Sequence, residues 1–239
     1  WLNQGIGDQI MFSSLIPDLI AAGAALTVEC DRRLVPVLER SFPTINVRAP
    51  AEALPAPGDK PGNEHFDFQV FLPDTARWLR KSFEDFPRLQ GYLKADPELT
   101  ARLRESYRAR APGRPVIGIS WRTATNAKVS QQKTLELKEW GPLLAGRDAV
   151  FVKLQYGDLK KEVSDACREL SVTIIDDPNV DAIADIDAFA AQVAAVDLVI
   201  TTSNATAHMA GSLNVPVWTL VPKGYGSMWH WFRNRDDSP

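Results

Sequence analysis

The sequence predicts an α/β protein built of two Rossmann-like, doubly wound halves, and three observations carry that prediction. Between Val116 and Val221 five short apolar runs alternate strictly with helical patterns, which implies parallel strands joined by right-handed crossovers. The first hundred residues repeat a strand-helix-strand rhythm. A proline- and glycine-bearing stretch, Ala111-Pro-Gly-Arg-Pro115, separates the two, so the expected domains are residues 1–112 and 113–239.

In the first half, Gly5-Ile-Gly-Asp8 is a glycine turn that leads into a helix over Gln9–Ala22. Phe12, Leu15, Ile16, Leu19 and Ile20 recur there at helical spacing, and Gly23 ends it. Pro17 is expected to kink that helix. Leu26–Cys30 reads as a strand and Arg33–Ser41 as a helix with Pro36 in its first turn. Ile45–Val47 and Phe68–Leu72 read as further strands, and residues 49–66 as a surface loop. Residues 75–112 suggest helices and a linker. A first strand upstream of Trp1 and a last helix after Pro239 are expected, as in an excerpt of a longer protein.

In the second half the expected strands are Val116–Trp121, Ala149–Leu154, Val172–Ile175, Asp197–Thr201 and Val217–Val221. The expected helices are Leu135–Leu144, Leu159–Leu170, Ile186–Ala195 and Ala205–Leu213. In the last of these, Ala205, Met209 and Leu213 mark one apolar face, and Asn214 is a C-cap candidate.

Composition narrows the function classes. The 239 residues are 45% hydrophobic and 24% charged, ordinary values for a globular protein. A net charge of -3 offers no electrostatic case for nucleic acid or an acidic membrane. No apolar run approaches the ~18 residues needed to span a bilayer, and no signal peptide is evident, so a cytoplasmic protein is expected. Cys30 and Cys167 lie far apart without metal-ligand spacing and read as buried thiols.

In a doubly wound sheet the ligand lies at the carboxyl ends of the strands. Those ends carry Trp121-Arg-Thr-Ala-Thr-Asn126 with Lys128 and Lys133 behind it, then Gln155-Tyr-Gly-Asp158, Asp176-Asp-Pro178, Thr202-Ser-Asn204 and Lys223-Gly-Tyr-Gly-Ser227. The turn Ser203-Asn204-Ala205-Thr206 opens a helix, so its backbone N–H groups and helix dipole suit an anion, with His208 one turn further on. Arg122, Lys133, that helix start and His208 are expected to converge on one anionic group. Tyr156 and Gly157 could flank a planar base. Plainer readings stand beside these: Ser203 or Asn204 as an N-cap, His208 as a surface histidine, Arg122 and Lys133 as solvated charges.

Asp8 reads either as an N-cap or as a carboxylate at the mouth of the sheet, available as a general base. Gly5 and Gly7 permit a close approach of backbone to ligand. Asp185-Ile-Asp187 looks like the metal-binding DxD of some sugar transferases but opens a helix, so no metal is assigned. His65 and His230 lack partners at any ligand or triad spacing, and Trp229-His-Trp-Phe232 reads as a packing cluster, although aromatics also stack on sugars.

Four stretches together, Gly5-Ile-Gly-Asp-Gln-Ile-Met-Phe-Ser-Ser-Leu-Ile-Pro-Asp18, Val116-Ile-Gly-Ile-Ser-Trp-Arg122, Leu154-Gln-Tyr-Gly-Asp158 and Ser203-Asn-Ala-Thr-Ala-His-Met-Ala-Gly-Ser-Leu213, resemble the heptosyltransferase-like glycosyltransferases. The resemblance is strongest to the domain that follows tetratricopeptide repeats in bacterial protein glycosyltransferases, and it spans nearly the whole chain.

This resemblance implies a GT-B fold, with an acceptor-side first domain and a nucleotide-sugar-binding second domain facing across a cleft. It implies inverting transfer with Asp8 as base, Lys133 neutralising the donor phosphate, and Asn204 to His208 as the diphosphate-binding helix start. The expected partners are a nucleotide-sugar donor, a protein or glycan acceptor and a tetratricopeptide-repeat region outside this chain. No cofactor or metal is expected. Heptosyltransferases carry Asp-Thr where this chain has Ser203-Asn204, which sets its donor pocket apart from one for ADP-heptose. For repeat-linked members the resemblance implies a protein acceptor such as flagellin, and a nonulosonic acid or hexose-type sugar; a CMP-linked donor would suit the same anion site. The alternative is a module that keeps the fold and binds a nucleotide sugar or protein without turnover. A nucleotide-sugar epimerase would need further carboxylates around the sugar.

Overall fold

The computed structural model describes residues 1–2, 4–50, 66–87, 90–123, 134–223, 228 and 230–231. In the first half the expected long helix is broken in two. Helix α1 spans Ile6–Phe12 and α2 spans Ile16–Ala21, with a 3-10 turn over Ser13–Leu15 between them. Pro17 is the cause: it lacks an N–H and its ring would clash with the carbonyl four residues earlier, so the chain restarts with Pro17 in the first turn of α2. The Ser13 hydroxyl donates to Ile10 O within the break (2.6 Å).

Strand β1 (Thr27–Glu29), a 3-10 turn, helix α3 (Val35–Ser41) and strand β2 (Asn46–Arg48) follow, with β1 and β2 parallel and Val28 opposite Val47. Beside β1 runs the start of the chain: Leu2 N donates to Glu29 O (2.8 Å) and Leu72 N to Trp1 O (3.0 Å). The expected strand over Phe68–Leu72 is reduced to these bonds. Pro73 diverts the chain into a 3-10 turn over Leu72–Thr75, followed by the short helix α4 (Ala76–Leu79). Helix α5 (Pro97–Arg110) is capped by Asp96, which accepts from Leu99 N.

The second half follows the predicted alternation. Strand β3 (Val116–Ser120), helix α6 (Gly141–Leu144), β4 (Val150–Lys153), helix α7 (Lys160–Leu170), β5 (Ile174–Ile175), helix α8 (Ile186–Ala194), β6 (Leu198–Thr202), helix α9 (Ala205–Ser212) and β7 (Val217–Leu220) succeed one another. All five strands are parallel, in the order β5-β4-β3-β6-β7. The order reverses between β3 and β6, which makes their carboxyl ends the ligand crevice of such a sheet. Asn214 is left-handed (φ 59°) just past α9, as expected of a helix end.

One hydrophobic core lies under the α6–α7 face, around Trp121, Trp140, Phe151 and Ile200. The other is shared by both halves and joins Leu2, Ile10, Val28 and Leu38 to Val199, Met209 and Ala210. Helix α5, although sequence places it before the boundary, packs on α8. Its Tyr107 hydroxyl, fully buried, donates to Asp177 Oδ2 and accepts from Gln192 Nε2, both at 3.1 Å. Arg40 grips Asp187 with two 2.6 Å bonds, and Asp185 caps α8 by accepting from Ala188 N (2.8 Å). Both carboxylates of the DxD stretch thus have structural partners.

Asp31, at the end of β1, accepts from Arg33 N, Nε and a terminal guanidinium nitrogen at 2.8–2.9 Å. The Arg33 side chain, above all, holds its carboxyl below the ordinary aspartate range. A depressed folded-state pKa stabilises the protein above the unfolded-state value, about 3.9, and that contribution is lost as pH falls through the folded value. Asp31→Asn keeps a capping oxygen but loses the charge that pairs with Arg33, so it is expected to lose about 0.2–1 kcal/mol in urea denaturation at pH 7. The gap to the wild type should close as the titration is repeated below about pH 3.9.

Candidate functional site

The crevice between β3 and β6 is tied by two amides. Gln155, buried at the end of β4, accepts on its oxygen from Ser120 Oγ (3.0 Å), Trp121 N (2.9 Å) and Arg122 N (2.8 Å). Asn204 N-caps α9, accepting from Thr206 N (2.9 Å) and Thr201 Oγ1 (3.0 Å), and its amide nitrogen donates to Ser120 Oγ (2.8 Å) and Arg122 O (3.0 Å). Both amides join neighbouring strand ends and give the crevice its shape.

Trp121 and Arg122 turn toward α7. The Trp121 side chain is fully buried in the α6–α7 core, and its indole N–H donates to Glu162 Oε1 (3.2 Å). Leu137 N donates to the same oxygen (3.0 Å), and the Arg122 guanidinium donates to Glu162 Oε2 (2.5 Å). The guanidinium lines a cavity of about 450 Å³ beside α7, with Glu136, Lys138, Asp158 and Lys161. Its place is thus against a carboxylate of α7 rather than at the start of α9, because the strand end sends Trp121 and the residue after it to the α7 face. Lys128 and Lys133 lie outside the described residues.

The start of α9 meets a different element, α1. An ideal Cβ on Gly7 would stand 3.3 Å from both Ala205 Cα and His208 Cδ2, tighter than ordinary van der Waals contact, so a side chain here would press α1 away from α9. Further along, Tyr92 N donates to Ser212 O (2.8 Å) and the Tyr92 hydroxyl donates to Ile10 O (3.1 Å). The beginning of α1 thus lies against the beginning of α9, and its later residues against the end of α9, so the two helices run side by side in the same direction. Asp8, in the first turn of α1, is half-buried beside this junction. Gln9 anchors the turn: its amide nitrogen donates to Gln4 O (2.7 Å) and its oxygen accepts from Asp31 N (2.8 Å).

Over the same helix start lies an aromatic group from the end of the chain. The Trp231 indole N–H donates to Ser203 Oγ (2.6 Å), and its ring stacks on His208 with centroids 5.4 Å apart and planes 15° apart. His230, buried, meets His208 edge-on at 5.0 Å. Ser203 and Thr206 are buried, while Ala205 and His208 are half-exposed. Tyr156 is half-buried at the end of β4, and Gly157 follows, exposed and left-handed (φ 93°).

The structure thus sets Gly7 against Ala205 and His208, links Ser203 to His208 through Trp231, ties the neighbouring strand ends with Asn204 and Gln155, and turns the Arg122 side chain to Glu162. Sequence reasoning missed Gln9 and Glu162, and it read His230 and Trp231 as a packing cluster without a partner, whereas both rings meet His208. Among the described residues no group of three His, Cys, Asp or Glu stands together as a metal site, and no helix is long and apolar enough to cross a membrane. Another cavity of about 450 Å³ is lined by Leu93, Arg104 and Pro216 near the amino ends of β6 and β7, away from this crevice. Cys30 is buried, and its thiol is pushed up to about 12 by burial and the neighbouring Asp31, Glu29 and Glu39.

The Gly7 contact predicts its own test. Gly7→Val should wedge α1 from α9 and lower stability by about 1–3 kcal/mol, measured by thermal or urea unfolding. A variant as stable as the wild type would contradict the close approach.

No family model matches the chain. It is 35% identical over 229 residues to Protein FlbA of Caulobacter vibrioides, covering 92% of this chain and 38% of that protein; the chain thus spans well under half the length of this curated relative. Three solved structures share its fold. A glycosyl transferase family 9 protein from Veillonella parvula has a TM-score of 0.60 and 14% identity, covering 94% of this chain and 80% of its own. The E. coli ADP-heptose LPS heptosyltransferase II gives 0.57 and 15%, covering 91% and 82%. The E. coli heptosyltransferase WaaC, with ADP-2-deoxy-2-fluoro heptose, gives 0.53 and 12%, covering 95% and 91%. The fold is that of these GT-B glycosyltransferases.

Proposed function

We propose that this chain is the transferase part of a glycosyltransferase that moves a sugar from a nucleotide-activated donor to an acceptor hydroxyl with inversion. The observation that carries the reading is the side-by-side packing of α1 and α9. It brings the first turn of α1, which carries Asp8, against the start of α9, at the reversal of strand order. The fold shared with heptosyltransferases supports it.

In this reading Asp8 takes the proton of the acceptor hydroxyl as its oxygen attacks the anomeric carbon. The bond from that carbon to the donor phosphate breaks, and its electron pair leaves on the phosphate oxygen. The N–H groups at the start of α9, the Ser203 and Thr206 hydroxyls and His208 meet that charge. Lys133 adds positive charge, Tyr156 and Gly157 flank the base, and Gln155, Asn204 and Trp121 hold the backbone that frames it. Arg122 serves the donor through the cavity beside α7. With this charge supplied by the protein, the reaction runs without a metal or other cofactor.

The acceptor is a protein, with flagellin as the candidate, and the chain works beside a tetratricopeptide-repeat region in the cytoplasm. The sugar is a nonulosonic acid or a hexose, so the leaving group is a nucleoside mono- or diphosphate. The second reading is a module that binds without turnover.

A thermal-shift screen against CMP, nucleoside diphosphates and their sugars identifies the donor, and a transfer assay with that donor separates the two. A ligand at about 100 times its dissociation constant should stabilise the fold by about 2.7 kcal/mol. Asp8→Asn should bind that ligand as well as the wild type and lose about 10²- to 10⁴-fold in sugar transfer. Binding with no transfer by the wild type to any acceptor protein would favour the module, and transfer undiminished in Asp8→Asn would remove Asp8 as base.

A further inference from the structure

Two of the side chains assigned above to the donor's leaving phosphate, Ser203 and His208, touch the same third residue. Trp231 donates its indole N–H to Ser203 Oγ at 2.6 Å and lays its ring on the imidazole of His208, the planes nearly parallel at 15°. We propose that Trp231 is a positioning residue for the phosphate site, holding Ser203 and His208 in the geometry that binds an anion. The proposal rests on the donor-binding reading of α9.

The chemistry of each contact fits that role. A serine hydroxyl has one hydrogen to donate and two lone pairs to accept with. By taking up a lone pair, the indole leaves the Ser203 hydrogen to be given to an anion. The imidazole of His208 is hemmed in by Gly7 against its Cδ2 edge, Trp231 against one face and the edge of His230 at 5.0 Å. A ring held on three sides has little rotamer freedom to lose on binding. Ser203 and His208 bracket the first turn of α9 from either side of its N-cap, so one rigid indole spanning both sets their separation. A tryptophan that merely filled apolar space would not require its N–H to reach the hydroxyl of this serine.

The test uses the whole chain and sodium pyrophosphate as probe, by titration calorimetry, on the wild type, Trp231→Phe, Trp231→Ala and His208→Ala, with circular dichroism and melting point as controls for folding. Trp231→Ala should weaken pyrophosphate binding by about tenfold or more, the loss expected for a charge-assisted hydrogen bond out of place. Trp231→Phe, which keeps the ring stack but lacks the N–H, should fall between. The carbon-bound ring hydrogen of His208 between its two nitrogens reports placement directly in the ligand-free protein. Its NMR signal should move when the indole's ring current is removed in Trp231→Ala. Trp231→Ala binding pyrophosphate as well as the wild type, while His208→Ala loses it, would overturn the proposal and leave the donor reading intact. A folded wild type that binds neither pyrophosphate nor any nucleotide would bring down the donor reading and this proposal with it.

Discussion

The close approach of α1 to α9 is the constraint on which the rest depends. A glycine at position 7 lets the first turn of α1 rest on Ala205 and His208, and Tyr92 ties the far ends of the two helices through Ile10 and Ser212. Because the helices run in the same direction, both helix starts open toward one place. The shared core behind them, from Ile10 to Met209 and Ala210, makes the two halves a single packed body at this point. Carboxylate and anion-binding amides, contributed by halves far apart in sequence, become neighbours through backbone packing alone.

Around that junction the polar side chains divide into those that tie strand ends together and those that line the helix start. Asn204 and Gln155 are committed to strand ends and helix cap, and Glu162 to Trp121, Arg122 and Leu137. Buried hydrogen-bond networks of this kind fix a local backbone when their members are satisfied. His208, Ser203 and Thr206 line the helix start itself. The division explains why residues of similar chemistry at neighbouring strand ends have different parts in the crevice.

The second half was legible almost element by element, because its inner strands β3, β4 and β6 are short, largely buried apolar runs set between helices. Position was harder to read than type. The break at Pro17 was foreseen, yet it falls over Ser13–Leu15, since a proline disturbs the turn before it. Phe68–Leu72 has the composition of a strand but is cut short by Pro73. Helix α5 was assigned to the first half by chain order, whereas Tyr107 sends it onto α8. The glycine turn before α1 and the polar turn before α9 are local motifs, visible in the sequence, and the structure sets the two helix starts against each other. The bonds of Gln9, Glu162 and Trp231 were not visible, because their partners lie 22, 41 and 28 residues away and no local spacing announces them. Arg122 was placed at the right strand end, but the side of the sheet its guanidinium takes depends on Glu162.

Hydrogen–deuterium exchange with and without the nucleotide that binds would test most directly the claim that α1 and α9 present one shared site. If they do, amides of residues 5–10 and of residues 203–209 gain protection together at the same ligand concentration. Protection confined to α7 and the cavity beside Glu162, with both helix starts unchanged, would contradict it.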